Sequence, residues 1–159
     1  MISVPIPGWG ELAIEYLMID FNGTVALDGK LKKEVKEAID RISRYVKVFI
    51  ITADSYDSVD AELGTSNVTF IKVNKVSSGD EKAKVVRELG PEKIVAIGNG
   101  SNDVAMMKES ALGIAVVGDE GCSAALVKEA DIVVSDAMKA LGLLMHPERL
   151  VATLRDLAQ

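Results

Sequence analysis

Six short apolar runs, each separated from the next by a polar or amphipathic stretch, constrain the fold of this chain more than any other feature. They occupy residues 16–20 (YLMID), 46–52 (VKVFIIT), 68–73 (VTFIKV), 93–98 (KIVAIG), 113–118 (GIAVVG) and 131–135 (DIVVS). Their valine and isoleucine content favours strands over helices, because β-branched side chains pack well on a pleated surface. Between them, segment 31–45 places Leu31, Val35, Ile39 and Ile42 at helical spacing with charges on the other face. Segment 81–90 repeats this pattern and is stopped by Gly90-Pro91. Segments 122–130 and 146–158 give two more helices, the second with Pro147 in its first turn. Strands that alternate with helices predict an α/β fold, with a mainly parallel central sheet covered by helices. Residues 2–15 differ: two short extended segments flank Pro7-Gly8-Trp9-Gly10 and predict a hairpin leading into the first core strand.

Length and charge narrow the functional classes. A chain of 159 residues suits one domain that buries roughly 70% of its unfolded surface, so residues 1–159 are expected to share one core, with 1–15 as a hairpin extension. With 48% apolar and 26% charged residues it is an ordinary globular composition rather than a disordered one. A net charge of -6 disfavours nonspecific attraction to nucleic acid or to an anionic membrane surface. The single Cys122 has no disulfide partner within the chain, and no apolar run approaches the roughly 20 residues that span a bilayer. The expectation is a soluble, cytoplasmic protein without nucleic-acid or membrane partners.

Three of the apolar runs end in polar residues: Asp20-Phe21-Asn22-Gly23-Thr24, Thr52-Ala53-Asp54, and Gly98-Asn99-Gly100-Ser101-Asn102-Asp103. In a parallel sheet with right-handed crossovers these ends lie on one edge and converge on one crevice. Lys82, at the start of the helix after Ser77-Ser78-Gly79, adds an ammonium. Carboxylates, amides, a hydroxyl and one ammonium suit phosphoryl transfer onto an aspartate, which splits a hard displacement into two steps. Asp20 is the candidate nucleophile. Magnesium requires an oxygen shell, which Asp20, a loop carbonyl near Asn22, and Asn99 or Asp103 supply. Lys82, the Thr52 hydroxyl and the Gly23 and Thr24 amides are the candidate donors to the phosphoryl oxygens, beside Ala53.

DFNGT, ITAD, Lys82 in DEKAKVVREL, and GNGSNDVAMM resemble, in order and approximate spacing, the four motifs of the haloacid dehalogenase-like (HAD) hydrolases. Within that superfamily the chain is most similar to the phosphorylation domain of P-type ATPases, and to small free-standing proteins called soluble P-type ATPases. Lys82, Val86 and Leu89 echo K-x-x-x-V-x-x-L, and PGWGELAIEYLMIDFNGT and HPERLVATLR also look like that group. The resemblance implies a three-layer Rossmann-like fold and a magnesium-dependent phosphohydrolase. It further implies Asp20 as nucleophile, Thr52 as phosphate ligand, Lys82 as the charge holding nucleophile and phosphate together, and Asp103 as an acid of the metal site, with Asn102 beside it. Two positions depart from the family pattern: Asn22 stands where phosphatases carry the general acid and base, and Asn99 where an aspartate usually binds magnesium. Asn22 cannot move a proton, so slow turnover of alkyl phosphates is expected, and Asn99 brings no charge, so magnesium is expected to bind weakly. The intervals from Thr24 to Thr52 and from Thr52 to Lys82 leave no room for a cap domain. An open site would take a large substrate, a partner protein, or a second copy as lid. The Trp9 hairpin either presents an apolar surface for such a homo-oligomer or packs on its own sheet.

Other polar residues have simpler roles. Asp54 and Asp57 read as capping and surface acids, His146 as a structural residue at a helix start, Cys122 as a small residue without an activating base, and Met106-Met107 as core. Lys84 reads as a solvated neighbour of Lys82. Competing with the phosphatase is a regulatory or binding module that uses phosphorylated Asp20 as a switch. A phosphosugar phosphatase like the tetrameric cap-less enzymes of lipopolysaccharide synthesis would carry an acid at position 22.

Overall fold

The computed structural model of the chain describes residues 1–53 and 67–156. Its centre is a six-stranded sheet made of β3 (Tyr16–Asp20), β6 (Lys47–Thr52), β7 (Val68–Lys72), β8 (Ile94–Gly98), β9 (Leu112–Val116) and β10 (Ile132–Val134). These are the six apolar runs of the sequence. They pair in the order β10-β9-β8-β3-β6-β7, every neighbour parallel. Chain order therefore reverses between β3 and β8, and the carboxyl ends of these two strands flank the crevice in which open α/β sheets bind ligands.

Helices cover both faces. On one side lie α1 (Lys33–Ile42), α5 (Ala137–Met145) and α6 (Pro147–Leu154); on the other, α2 (Ser78–Leu89), α3 (Val104–Glu109) and α4 (Ala124–Glu129). Alternation along β3 serves both layers: Leu17 and Ile19 join the core under α1, α5 and α6, whereas Met18 joins the core with Val86 of α2 and Met106 of α3. Asp20 follows on the side of Met18, the side that α2 covers. The strand's period thus decides which helix can reach the carboxylate.

The amino-terminal hairpin consists of β1 (Ile2–Ile6) and β2 (Gly10–Ile14), paired antiparallel with Val4 opposite Leu12. Val4, Ile6, Leu12 and Ile14 are buried in the main core and Trp9 is half-buried against it, so the hairpin packs on its own domain. The Asp156 amide donates to the Pro7 carbonyl at 2.9 Å, tying the end of the α6 segment to the hairpin turn.

One expectation is corrected. Leu31, read as the first apolar position of a helix, lies in a two-residue strand β5 (Lys30–Leu31) that pairs with β4 (Ala26–Leu27). Asp28 and Gly29 between them both have positive φ, 51° and 76°, the conformation that lets a two-residue turn follow the strand twist. The helix begins only at Lys33. Among the described residues, the stretch from Thr24 to Thr52 holds this small hairpin, α1 and β6, and no helix of the chain is long and apolar enough to cross a membrane. Asp54 and Asp57 lie outside the described residues.

Candidate active site

The site begins with a lysine on an apolar stripe. Ser78, Lys82 and Val86 recur every four residues along α2 and face inward, so helical spacing carries Lys82 under the sheet edge. Its side chain is only 1% exposed. A buried ammonium persists when carboxylates surround it, and two do: Nζ donates to Asp20 Oδ1 at 2.8 Å and to Asp103 Oδ1 at 2.7 Å. Burial alone would lower the Lys82 pKa, but Asp103 and Asp20 outweigh it and the group is held protonated, above its ordinary range. Lys84, by contrast, is exposed and lies 3.8 Å from Glu88.

Asp103 is fully buried and both of its oxygens are engaged. Oδ1 takes Lys82, while Oδ2 accepts from the amides of Asn99 at 3.2 Å and Gly100 at 3.1 Å. Its effect is to hold the loop after β8 against α2, a role of position and charge. Gly98 is necessary to this packing: a side-chain carbon there would lie 2.5 Å from Asp103 Oδ2. Asn102 is exposed and ties the same turn to the start of α2, donating to Ser78 Oγ at 3.1 Å.

Thr24 joins the two loops across the crevice. Its hydroxyl lies 3.1 Å from Asp20 Oδ2 and 3.1 Å from Asn99 Oδ1, so its one proton serves one of these oxygens at a time. Gly23, with φ of 79°, packs against the Asn99 side chain so closely that a Cβ would collide with Nδ2. Asn99 is anchored from behind, its amide group donating to the Gly121 carbonyl at 3.3 Å and its own carbonyl accepting from Ser123 at 2.8 Å. The Gly23 and Thr24 amides, expected to face a phosphate, are instead spent within the loop, on Ala26 O at 2.8 Å and Phe21 O at 3.3 Å. Thr52 is buried at the end of β6, its carbonyl accepting from Val73, and half-buried Ala53 follows it. Asn22, half-buried, bridges Ala26 through its backbone. An open cavity of about 360 Å³ adjoins Gly23 and Thr24 and extends past Asp119 and Asp136.

The electrostatics set Asp20 apart. Burial, and next the negative charge of Asp103, raise its pKa from 3.8 to about 6, against the opposing pull of Lys82 and Thr24. A folded-state pKa above the unfolded one means that the folded protein binds more protons between about pH 4 and 6, so this group's contribution to stability falls as pH rises through that window. For the metal-free protein, the stability advantage of Asp20→Asn over wild type should therefore grow by a few kcal/mol between pH 4 and pH 7. Urea titrations in EDTA at the two pH values measure it, and parallel profiles would refute the assignment.

Sequence reasoning missed Thr24's link to Asn99 and the anchoring of Asn99 by the loop at Gly121. Neither has a local sequence signal, because both contacts join distant segments. Cys122 is half-buried, its thiol pushed up by burial and next by Asp103, which is the opposite of activation. Met106 and Met107 are core residues, and His146 sits between α5 and α6 with Nδ1 3.6 Å from Glu148.

Comparison with known proteins bears on the family and the fold. An uncharacterized protein of Methanocaldococcus jannaschii is 45% identical over 93 residues, covering 54% of this chain and all of that protein. A probable copper-exporting P-type ATPase of Archaeoglobus fulgidus is 31% identical over 96 residues, 59% of this chain, and the match spans only 12% of the ATPase. Among solved structures, the 3-deoxy-D-manno-octulosonate 8-phosphate phosphatase of Moraxella catarrhalis, in complex with magnesium, phosphate and its sugar, superposes with a TM-score of 0.63 at 18% identity, covering 89% of this chain and 94% of that one. At that identity the likeness is one of fold. The model of the haloacid dehalogenase-like hydrolases matches residues 4–110, a span that includes every strand end from Asp20 to Asp103, and the chain belongs to that family.

Proposed function

We propose that this chain is a magnesium-dependent phosphohydrolase that works through an aspartyl-phosphate on Asp20. The observation that carries the proposal is the buried Lys82, which fixes one oxygen of Asp20 at 2.8 Å while Thr24 holds the other at 3.1 Å, at the point where the sheet's strand order reverses. An Asp20 oxygen attacks phosphorus, the bond from phosphorus to the leaving group breaks, and the leaving group departs with its electron pair and takes a proton from water. Water then attacks the same phosphorus and loses a proton, and the bond to Asp20 breaks, returning the carboxylate and inorganic phosphate. Lys82, Thr52 and Ala53 are assigned to the phosphoryl oxygens, with Gly23 and Thr24 shaping the loop beside them.

The donor set fits magnesium. Asp20 Oδ2 and Asn99 Oδ1 share the Thr24 hydroxyl, and both are hard oxygens, as is the Asn22 carbonyl. These would hold the ion, with Asp103 fixing Asn99 through its amide. When bound, magnesium supplies positive charge that lets anion meet anion. One carboxylate and two neutral oxygens make a weak site. Hydrolysis of p-nitrophenyl phosphate should vanish in EDTA and reach half its maximum only at millimolar magnesium; metal-independent hydrolysis would overturn this part of the proposal.

The substrate class is a phosphorylated small molecule or a phosphorylated partner protein, met in the cytoplasm at an open crevice that a second copy of the chain would serve to cover. The amides at Asn22 and Asn99 favour one second reading, in which phosphorylated Asp20 persists as a switch. The lifetime of the adduct separates the two.

A further inference from the structure

A second cavity, of about 600 Å³, runs along α1 and α5 toward the amino edge of the sheet, with Met138 standing between it and the cavity beside Thr24 and lining both. Helices that return from the carboxyl edge of a parallel sheet end at its amino edge, and this cavity is formed where α1 and α5 end and α6 begins. Its apolar surface comes from Ile2, Ile42, Leu144 and Met145. Its cations are Arg41, Arg44 and Arg149, with His146 beside them, and among the described residues no carboxylate lines it, in a chain where 24 acids outnumber 18 lysines and arginines. None of the three arginine side chains makes a hydrogen bond or an ion pair with the described residues.

Two local rules are broken here, and both breaks line the cavity. Arg149 lies in the first turn of α6, where the helix dipole disfavours a cation. Gly142 lies inside α5, where glycine is less favourable than alanine. The two meet: a Cβ on residue 142 would stand 3.3 Å from Arg149 Nη1, so the end of the arginine side chain lies over the glycine. Violations of this kind concentrate at functional sites. Tyr45, 64% exposed, adds an aromatic face at the rim.

We propose that this cavity binds a nucleoside phosphate, the guanidinium groups of Arg41, Arg44 and Arg149 taking the phosphate oxygens and Tyr45 with the apolar wall taking the base. Guanidinium groups match phosphate oxygens in bidentate geometry, and an exposed aromatic ring stacks on any base. The volume is that of a small-molecule site. Binding should be independent of magnesium and of Asp20, because none of Asp20, Asn22 and Asn99 lines this cavity.

Calorimetric titration of the full chain with ADP in EDTA tests the proposal. Binding should occur one to one and be retained in Asp20→Asn. It should weaken at least about tenfold in Arg44→Glu combined with Arg149→Glu, and to a smaller extent in Arg149→Lys, which keeps the charge but not the fork. Tyr45→Ala should weaken ADP more than inorganic phosphate. Urea midpoints of the variants equal to wild type show that the fold is intact; where the double variant unfolds, Arg149→Lys and Tyr45→Ala carry the test. Absence of binding overturns the proposal, as does ADP binding that the arginine substitutions leave unchanged and inorganic phosphate displaces, the signature of the catalytic edge. Equal affinity for ADP and for a fatty-acid anion without a base overturns the assignment to nucleotides.

Discussion

Replacing Lys82 with methionine is expected to abolish phosphorylation of Asp20 and to destabilise the domain by about 3–5 kcal/mol, the range seen when one member of a buried ion cluster is removed. Methionine fills the stem of the lysine but brings no charge. Asp20 and fully buried Asp103 would then repel each other with no cation between them, where Nζ now stands 2.8 Å from one and 2.7 Å from the other. Such a loss is a large share of the 5–15 kcal/mol that holds a typical domain together. Adding Asp20→Asn to the variant should restore part of the stability and none of the activity. Urea unfolding of the single and double variants measures the first effect, and phosphoryl transfer the second. A Lys82→Met protein as stable as wild type would mean that the buried cluster is not as described.

Asn22→Asp is expected to act in the opposite direction. A carboxyl group two residues after the nucleophile can protonate a leaving group and then take a proton from water, and general acid–base catalysis typically contributes about 10² to 10⁴ in rate. Asparagine does neither. The substitution is nearly isosteric at a half-buried loop position, so the fold should tolerate it. The gain should be greatest for alkyl phosphates, whose alkoxide leaving groups need a proton, and smaller for acetyl phosphate, whose leaving group does not. Steady-state rates with the two substrate types decide it: an equal or absent gain would show that proton transfer at position 22 does not limit turnover.

Much of the architecture was legible because burial on both faces leaves continuous apolar runs, and all six core strands follow from them. The helix α5 was not. Its sequence, AMKALGLLM, buries Ala137, Ala140, Leu141, Gly142 and Leu144, so little polar face remains to mark a period. The small β4 and β5 pair was missed for another reason: Asp28-Gly29 is a strong turn signal, but two-residue strands have no alternation to read. At the site, strand ends and motifs drew attention to loops that the topology does bring together. Contacts between them were beyond reach. Lys82 was picked out as a site cation, but its burial under the sheet edge follows only from its four-residue spacing with Ser78 and Val86 along α2. Asp103 reads as an acid of the metal site, and the contacts of its two oxygens with Lys82 and two amides have no local signal, because they join α2 to the loop after β8. Glycine-dependent approaches, Gly23 to Asn99 and Gly98 to Asp103, are properties of two segments at once and not of either alone.

Incubation with magnesium and acetyl phosphate, followed by intact-mass spectrometry, tests the central claim most directly. The expected result is a single phosphoryl adduct that decays over time and is missing from Asp20→Asn. An adduct that persists in Asp20→Asn, or no adduct and no phosphate release at high magnesium with acyl and aryl phosphates alike, would contradict Asp20 as the nucleophile.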